Sequence, residues 1–267
     1  MPNVAYFHAL HKGPQILILP NAWDAMSAKI VEGAGAKAIA TSSAAVAWSH
    51  GYADGHCLPF ELLLRTASGI VRVVKAPVTC DSEGGYADTP DGAAANVRRL
   101  IDVGVAGINI EDGRDPHALH VKKVAAIRKS AEASGVDLFV NARTDVYLKA
   151  LVPPEKRLAE TLRRAAALRD AGASGIFVPG AAPGDIAHLA KEIPLPLNVM
   201  GWSGVPNAAA LQAMGVRRLS AATNVARAAW ATVAKAAKTY LFDGDNDALT
   251  AMGEAGADYN ALFKGRS

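Results

Sequence analysis

The chain has 267 residues, 51% hydrophobic and 20% charged, a balance that excludes a disordered chain and suits one large α/β domain. Its 28 basic and 25 acidic residues leave a net charge of +3, too weak a field to mark a nucleic-acid or anionic-membrane binder. Cys57 and Cys80 are too few for a disulfide framework, no apolar run reaches the roughly 20 residues of a membrane span, and the start MPNVAYFHALHKGPQ has no leader pattern, so a cytoplasmic protein is expected.

In chain order, eight short apolar runs read as strands: 16–19, 38–41, 78–80, 106–110, 138–142, 175–178, 195–200 and 218–221. Their near-continuous apolarity is that of parallel strands covered on both faces. The stretches between them are rich in Ala, Leu, Lys, Arg and Glu and read as helices, among them 23–32, 91–103, 117–134, 154–171 and 207–214. A phrase recurs at four helix-to-strand joints: GAKAIA from Gly35, GVAGINI from Gly104, GASGIFV from Gly172 and GVRRLS from Gly215. Glycine there supplies the left-handed turn that ends a helix. Alternation sustained over roughly 250 residues predicts a (β/α)8 TIM-type barrel, with a doubly wound sheet as the alternative. No Gly/Ser/Pro-rich linker interrupts residues 1–267, so one domain is expected. Residues 224–267 are too long for a single closing helix and read as a helical extension packed on a neighbouring subunit.

In such a barrel, chemistry sits where strands end and loops begin. After the first strand come Asn21 and Asp24. After the second come Thr41, Ser42 and Ser43, small hydroxyl residues whose backbone N–H groups suit an anion. Asp54 lies on the loop beyond and, taken alone, is a turn residue before Gly55. The third strand runs into Asp81, Ser82 and Glu83. Alternation puts Asp81 and Glu83 on one face, where two like charges call for a cation, and oxygen ligands favour Mg2+ or Mn2+. The fourth ends in Glu111, which shares a face with Asn109 and adds a third acid. The fifth puts Asn141, Arg143 and Asp145 on one face. Arg143 can hold an anionic group with its planar fork or pair with these acids. Asn198 on the seventh suits a ligand contact or a structural hydrogen bond equally. His117 and His120, beyond Glu111, are candidates for proton donation or simply a solvated helix start. The fingerprint-like GAGAKA at 33–38 has its helix before and its strand after, the reverse of a dinucleotide site.

TSSAAVAWSHGYAD, CDSEGGY, GINIED and NARTD, in this order between LPNAWD and LSAATN, resemble the isocitrate lyase/phosphoenolpyruvate (PEP) mutase superfamily. The resemblance implies a barrel whose last helix is exchanged between paired subunits, in a homo-oligomer, dimer or tetramer. It implies Asp81 as the carboxylate nearest Mg2+, with Glu83 and Glu111 holding the ion through water. It makes Arg143 a substrate-binding arginine, Ser42, Ser43 and Ala44 the cradle for a 2-oxo acid carboxylate, and Asp54 a group near the reacting bond. One departure matters. The isocitrate-cleaving lyases carry Lys-Lys-Cys-Gly-His on the loop after the fourth strand, whereas this loop reads GRDPHALHVKK, without cysteine and without the mutase's Lys-Thr-Asn-Ser type sequence. The expected activity is therefore a Mg2+-dependent lyase or hydrolase that cleaves a C–C bond next to a 2-oxo acid through an enolate. Its substrate would be oxaloacetate-like, bound by Ser42, Ser43, Ala44, Asp81, Arg143 and Asn198, with Asp54, Arg143 and His117 serving the reaction. Two alternatives stand: a phosphonopyruvate hydrolase or phosphonomutase acting on C–P, and a 2-oxo acid binder that has lost catalysis.

Overall fold

The computed structural model describes residues 4–113, 115–253 and 258–265. The chain runs α1 (Val4–Lys12), β1 (Leu17–Leu19), β2 (Asn21–Ala22), α2 (Ala25–Gly33), β3 (Ile39–Thr41), α3 (Ser43–Ser49), α4 (Phe60–Val73) and β4 (Val78–Asp81). It continues through α5 (Pro90–Asp102), β5 (Gly107–Glu111), α6 (His117–Ala133), β6 (Phe139–Arg143), α7 (Arg157–Asp170), β7 (Gly175–Val178), α8 (Pro183–Glu192), β8 (Leu197–Met200), α9 (Ala208–Ala213) and β9 (Arg218–Ser220). All strand pairings are parallel, in the order β1-β9-β8-β7-β6-β5-β4-β3-β2. The sheet is a nearly closed barrel of the (β/α)8 type. Where the sequence suggests eight strands there are nine, because Pro20 splits the first stave. Proline lacks the N–H a ladder needs, so β1 pairs with β9 and β2 with β3 on either side of the break.

The four joint glycines all have left-handed φ: +98° at Gly35 and Gly104, +96° at Gly172 and +95° at Gly215. Each turns a helix end back into the next strand, as their sequence positions require. Outward strand residues such as Cys80, Ile108, Val140 and Ile176 pack with Leu63, Val97, Val124, Leu168 and Leu189 of the helices in one continuous core. The foot of the barrel is plugged by α1, whose Phe7 is fully buried and lies edge-on to Phe139 at 5.3 Å, while His11 stacks on Phe139 at 3.9 Å.

The barrel interior is polar. Asn109 Oδ1 accepts from Asn141 Nδ2 (2.9 Å) and Arg218 Nη2 (3.1 Å), and Asn141 Nδ2 also donates to Asn198 Oδ1 (3.0 Å). Asn198 Nδ2 is spent on Val199 O, Arg218 O and Ser220 Oγ. This column satisfies the three asparagine side chains, whereas Arg218, also buried, uses only Nη2 in it and leaves Nε and Nη1 without partners among the described residues.

After β9 the chain leaves the barrel as α10 (Asn224–Asp243), α11 (Asn246–Gly253) and α12 (Tyr259–Phe263). Of α10 only Ala226 is buried, and Leu241 and Phe242 are 85% and 88% exposed. Phe263 returns to pack against the α2/α4 cluster. Residues 254–257, 266 and 267 of the predicted extension lie outside the described residues. No described helix is long and apolar enough to cross a membrane.

Candidate functional site

The carboxyl ends of the strands surround a cavity of about 440 Å³. Asp81 closes β4 inside it, 7% exposed, held by its own N–H donating to Thr41 Oγ1 of the adjacent strand at 2.8 Å. Its carboxylate accepts from the N–H groups of Ser43 (3.4 Å) and Glu83 (3.3 Å). Ser42 is the N-cap of α3, its Oγ facing the N–H of Ala45 at 3.5 Å, so the first amides of this short helix point into the cavity beside Asp81. Burial raises the Asp81 pKa; Arg143 works against that rise, and Asp54, which lines the same cavity, adds to it.

Glu83 has turned away from Asp81 into a neighbouring cavity of about 230 Å³, which it lines with His56, Glu111, Asp112 and Lys149. Its backbone is left-handed, φ +46°, as is that of His56, φ +63°. The Glu83 carboxylate accepts from Tyr86 Oη (2.8 Å) and from the His56 N–H, and the Gly84 N–H donates to His56 Nε2 at 2.8 Å. These bonds tie the loop that carries Asp54 to the loop after β4. The Gly-Gly of CDSEGGY is needed at its second position, where φ is +88° and a Cβ would stand 2.6 Å from that of Ala93.

Glu111 Oε2 lies 2.6 Å from Arg143 Nη1 and Oε1 lies 3.5 Å from Lys149 Nζ. Arg143 also grips Asp145 with Nε (2.7 Å) and Nη2 (3.2 Å), and Lys149 meets the same carboxylate at 3.1 Å. Two acids and two bases thus form a quartet with no net charge. Burial nevertheless pushes the Glu111 pKa to about 7, against the pull of Arg143 and with Asp145 and Asp81 adding to the rise. Asp112 serves the scaffold. It accepts from Thr144 Oγ1 (2.8 Å), Asp145 N–H (2.8 Å) and Arg164 Nη1 (2.7 Å).

Six of the residues marked in the sequence meet in the larger cavity: Ser42, Ser43, Ala44, Asp54, Asp81 and Arg143. Glu83 and Glu111 stand next door. Asn198 is buried in the interior column and lines neither cavity. His117 also lines neither; it begins α6 against Arg163, Arg164 and Glu160 of α7, and burial lowers its pKa to about 4. The structure thus places His117 at the start of α6, outside both cavities, beside fully buried His120, whose pKa burial lowers to about 3. Asn21 and Asn109, which the sequence also places at or near strand ends, line the larger cavity as well, and so do residues that the sequence did not mark, among them Trp48, Trp202 and Arg227. Trp202 and Arg227 were findable only by scanning the loops after the last two strands for side chains as well as for charge.

Among the described residues no three His, Cys, Asp or Glu side chains close on one point as a ready-made metal cage. The donor set nonetheless suits a hard cation. Asp81 is buried, forms no ion pair among the described residues and faces a second carboxylate. Mg2+ commonly takes one or two carboxylates and completes its shell with water and substrate.

Residues 7–241 match the family model described as phosphoenolpyruvate phosphomutase. The chain belongs to this family, within the isocitrate lyase/PEP mutase superfamily. Among solved structures, a Burkholderia cenocepacia J2315 protein provisionally named a phosphonomutase is 40% identical, with a TM-score of 0.84 over 88% of this chain and 99% of that one. An uncharacterized Mycobacterium tuberculosis (H37Rv) protein is 38% identical over 224 residues, 80% of each chain. The 2-methylisocitrate lyase of Bacillus subtilis is 28% identical over 201 residues, 72% of this chain and 64% of that one. The family is enzymatic, and the superfamily includes both lyases and mutases.

Proposed function

We propose that the protein is a divalent-metal-dependent lyase or hydrolase that cleaves a C–C bond next to a 2-oxo acid, with an oxaloacetate-like substrate. The observation that carries this reading is the buried, unpaired Asp81 carboxylate at a barrel mouth that also receives Asp54 and the first amides of α3. Mg2+ or Mn2+ would be held by Asp81, with Glu83 and Glu111 reaching it through water, and would supply electrophilic stabilisation for charge developing on the 2-oxo oxygen.

The remaining steps belong to the chain. The Ala44 amide and the Ser43 amide, which turns to the substrate from its 3.4 Å bond to Asp81, receive the substrate carboxylate, with Ser42 capping the helix that presents them. Arg143 has five N–H donors and spends one on Glu111 and two on Asp145, so two remain for substrate oxygens. As the bond at C3 breaks, its electron pair stays with C3 and passes into the enolate, the other fragment leaves as a neutral carbonyl compound such as CO2, C3 then takes up a proton, and these donors would meet the oxygen that gains charge. Asp54, exposed on its loop at the cavity edge, is the carboxylate available to carry a proton. His117 has no part in this scheme. The exposed apolar side chains of α10 suit a homo-oligomer, dimer or tetramer, with that helix exchanged between subunits. Two free thiols suit a cytoplasmic setting.

A second reading, a phosphonopyruvate hydrolase or phosphonomutase, is favoured by the provisional name of the Burkholderia relative. A turnover screen separates the two. Small 2-oxo and 2-hydroxy diacids and phosphonopyruvate are each incubated with Mg2+ and with a chelator. Metal-dependent cleavage of a diacid supports the first reading, and preferred turnover of phosphonopyruvate the second. Tight 2-oxo acid binding with no turnover contradicts both and marks a binding protein.

A further inference from the structure

Arg143 is the arginine that the sequence marks for an anionic group of the substrate, but the quartet with Glu111, Asp145 and Lys149 already balances its charge. A full third carboxylate there would leave the group net negative, so its two remaining N–H donors suit the 2-oxo oxygen rather than a second carboxylate of the substrate. The larger cavity has another cation. Arg227, in the first turn of α10 and over Trp48 of α3, lines it from the helices, whereas Asp81 and Arg143 line it from the ends of β4 and β6.

Arg227 is built into position. Its Nε donates to Thr223 Oγ1 at 3.2 Å, and its guanidinium lies over the Trp48 ring at 5.5 Å. Trp48 rests against Trp230 (5.9 Å), which rests against Trp23 (5.6 Å), so three tryptophans lock the start of α10 to the barrel mouth. Both Nη groups have no hydrogen-bond or ion-pair partner among the described residues. The same cavity also has apolar lining, Leu148, Met200 and Trp202, while Phe177 lies under the Arg143 guanidinium at 5.7 Å. A carboxylate meeting a guanidinium in a cavity so lined is less screened than in open water.

We propose that Arg227 holds the distal carboxylate of the substrate on the Trp48 platform, and that the site accordingly takes a dicarboxylic 2-oxo acid over a monocarboxylic one. This rests on the reading of the cavity as a 2-oxo acid site and adds a residue and a selectivity to it. Arg143 stays at the reacting end, and Arg227 reads the far end.

The test is a matched pair of ligands differing only at that end: 2-oxoglutarate and 2-oxopentanoate, titrated calorimetrically in Mg2+ into wild type, Arg227→Gln and Arg227→Lys. Wild type is expected to bind the diacid at least about tenfold more tightly. Arg227→Gln should lose that preference while binding 2-oxopentanoate as before, and Arg227→Lys should restore part of it. An unchanged preference in Arg227→Gln overturns the proposal, as does an equal loss for both ligands, which marks a structural role. Either result leaves the 2-oxo acid reading intact. Failure of wild type to bind either ligand overturns both.

Discussion

Asp112 and Glu111 are neighbours of the same chemistry, and the strand sends them to different tasks. Alternation turns Glu111 towards the mouth, while Asp112 turns to the helices and anchors Thr144, the Asp145 N–H and Arg164. Asp112→Ala leaves Arg164 with Glu160 as its remaining partner and strands two further donors, Thr144 Oγ1 and the Asp145 N–H, and about 2 kcal/mol of stability should be lost; urea unfolding measures it, and Asp112→Asn should lose less. The two thiols divide in a similar way. Cys57 is exposed, whereas burial pushes the Cys80 thiol up to about 12, so a thiol reagent should label one cysteine in the native protein and two after unfolding. The strand-borne residues Asp81, Glu111 and Arg143 were legible because a strand has period two. Arg227 and Trp48 were not, because no periodicity tells which helix start crosses the barrel mouth.

Loops and strands show the limit of pattern reading at the next scale. All eight apolar runs became strands, but β2 is two residues long and too short to carry any pattern. The alternation rule also over-reached at Glu83. β4 ends at Asp81, and the left-handed backbone at Glu83 turns its carboxylate to His56 and Tyr86. That turn makes His56 the clasp between the Asp54 loop and the loop after β4. Removing the ring in His56→Ala leaves the Gly84 N–H without its acceptor. Hydrogen exchange should then quicken at Gly84 and over residues 50–58 while β4 keeps its protection. Unchanged exchange at Gly84 would mean the clasp holds nothing.

The whole molecule is a barrel with an unsatisfied appendage. Repeated glycine turns and buried parallel strands, both readable from composition and spacing, account for its body, together with the α1 plug at the foot, which the sequence did not announce. Among the described residues nothing covers Leu241 and Phe242 at the end of α10, and exposed apolar surface of that kind marks association. Light scattering should report a dimer or tetramer, and Leu241→Asp with Phe242→Asp should lower the mass towards one chain. The appendage bears on chemistry as well, because its first turn carries Arg227 to the cavity. The reaction itself stands or falls on Asp81. The decisive measurement is the rate of diacid cleavage by wild type and by Asp81→Asn, each with Mg2+ and with chelator. A folded Asp81→Asn should be slower by about a hundredfold or more, and the chelator should abolish the wild-type rate. Equal rates in the two proteins, or a wild-type rate untouched by the chelator, would contradict the account.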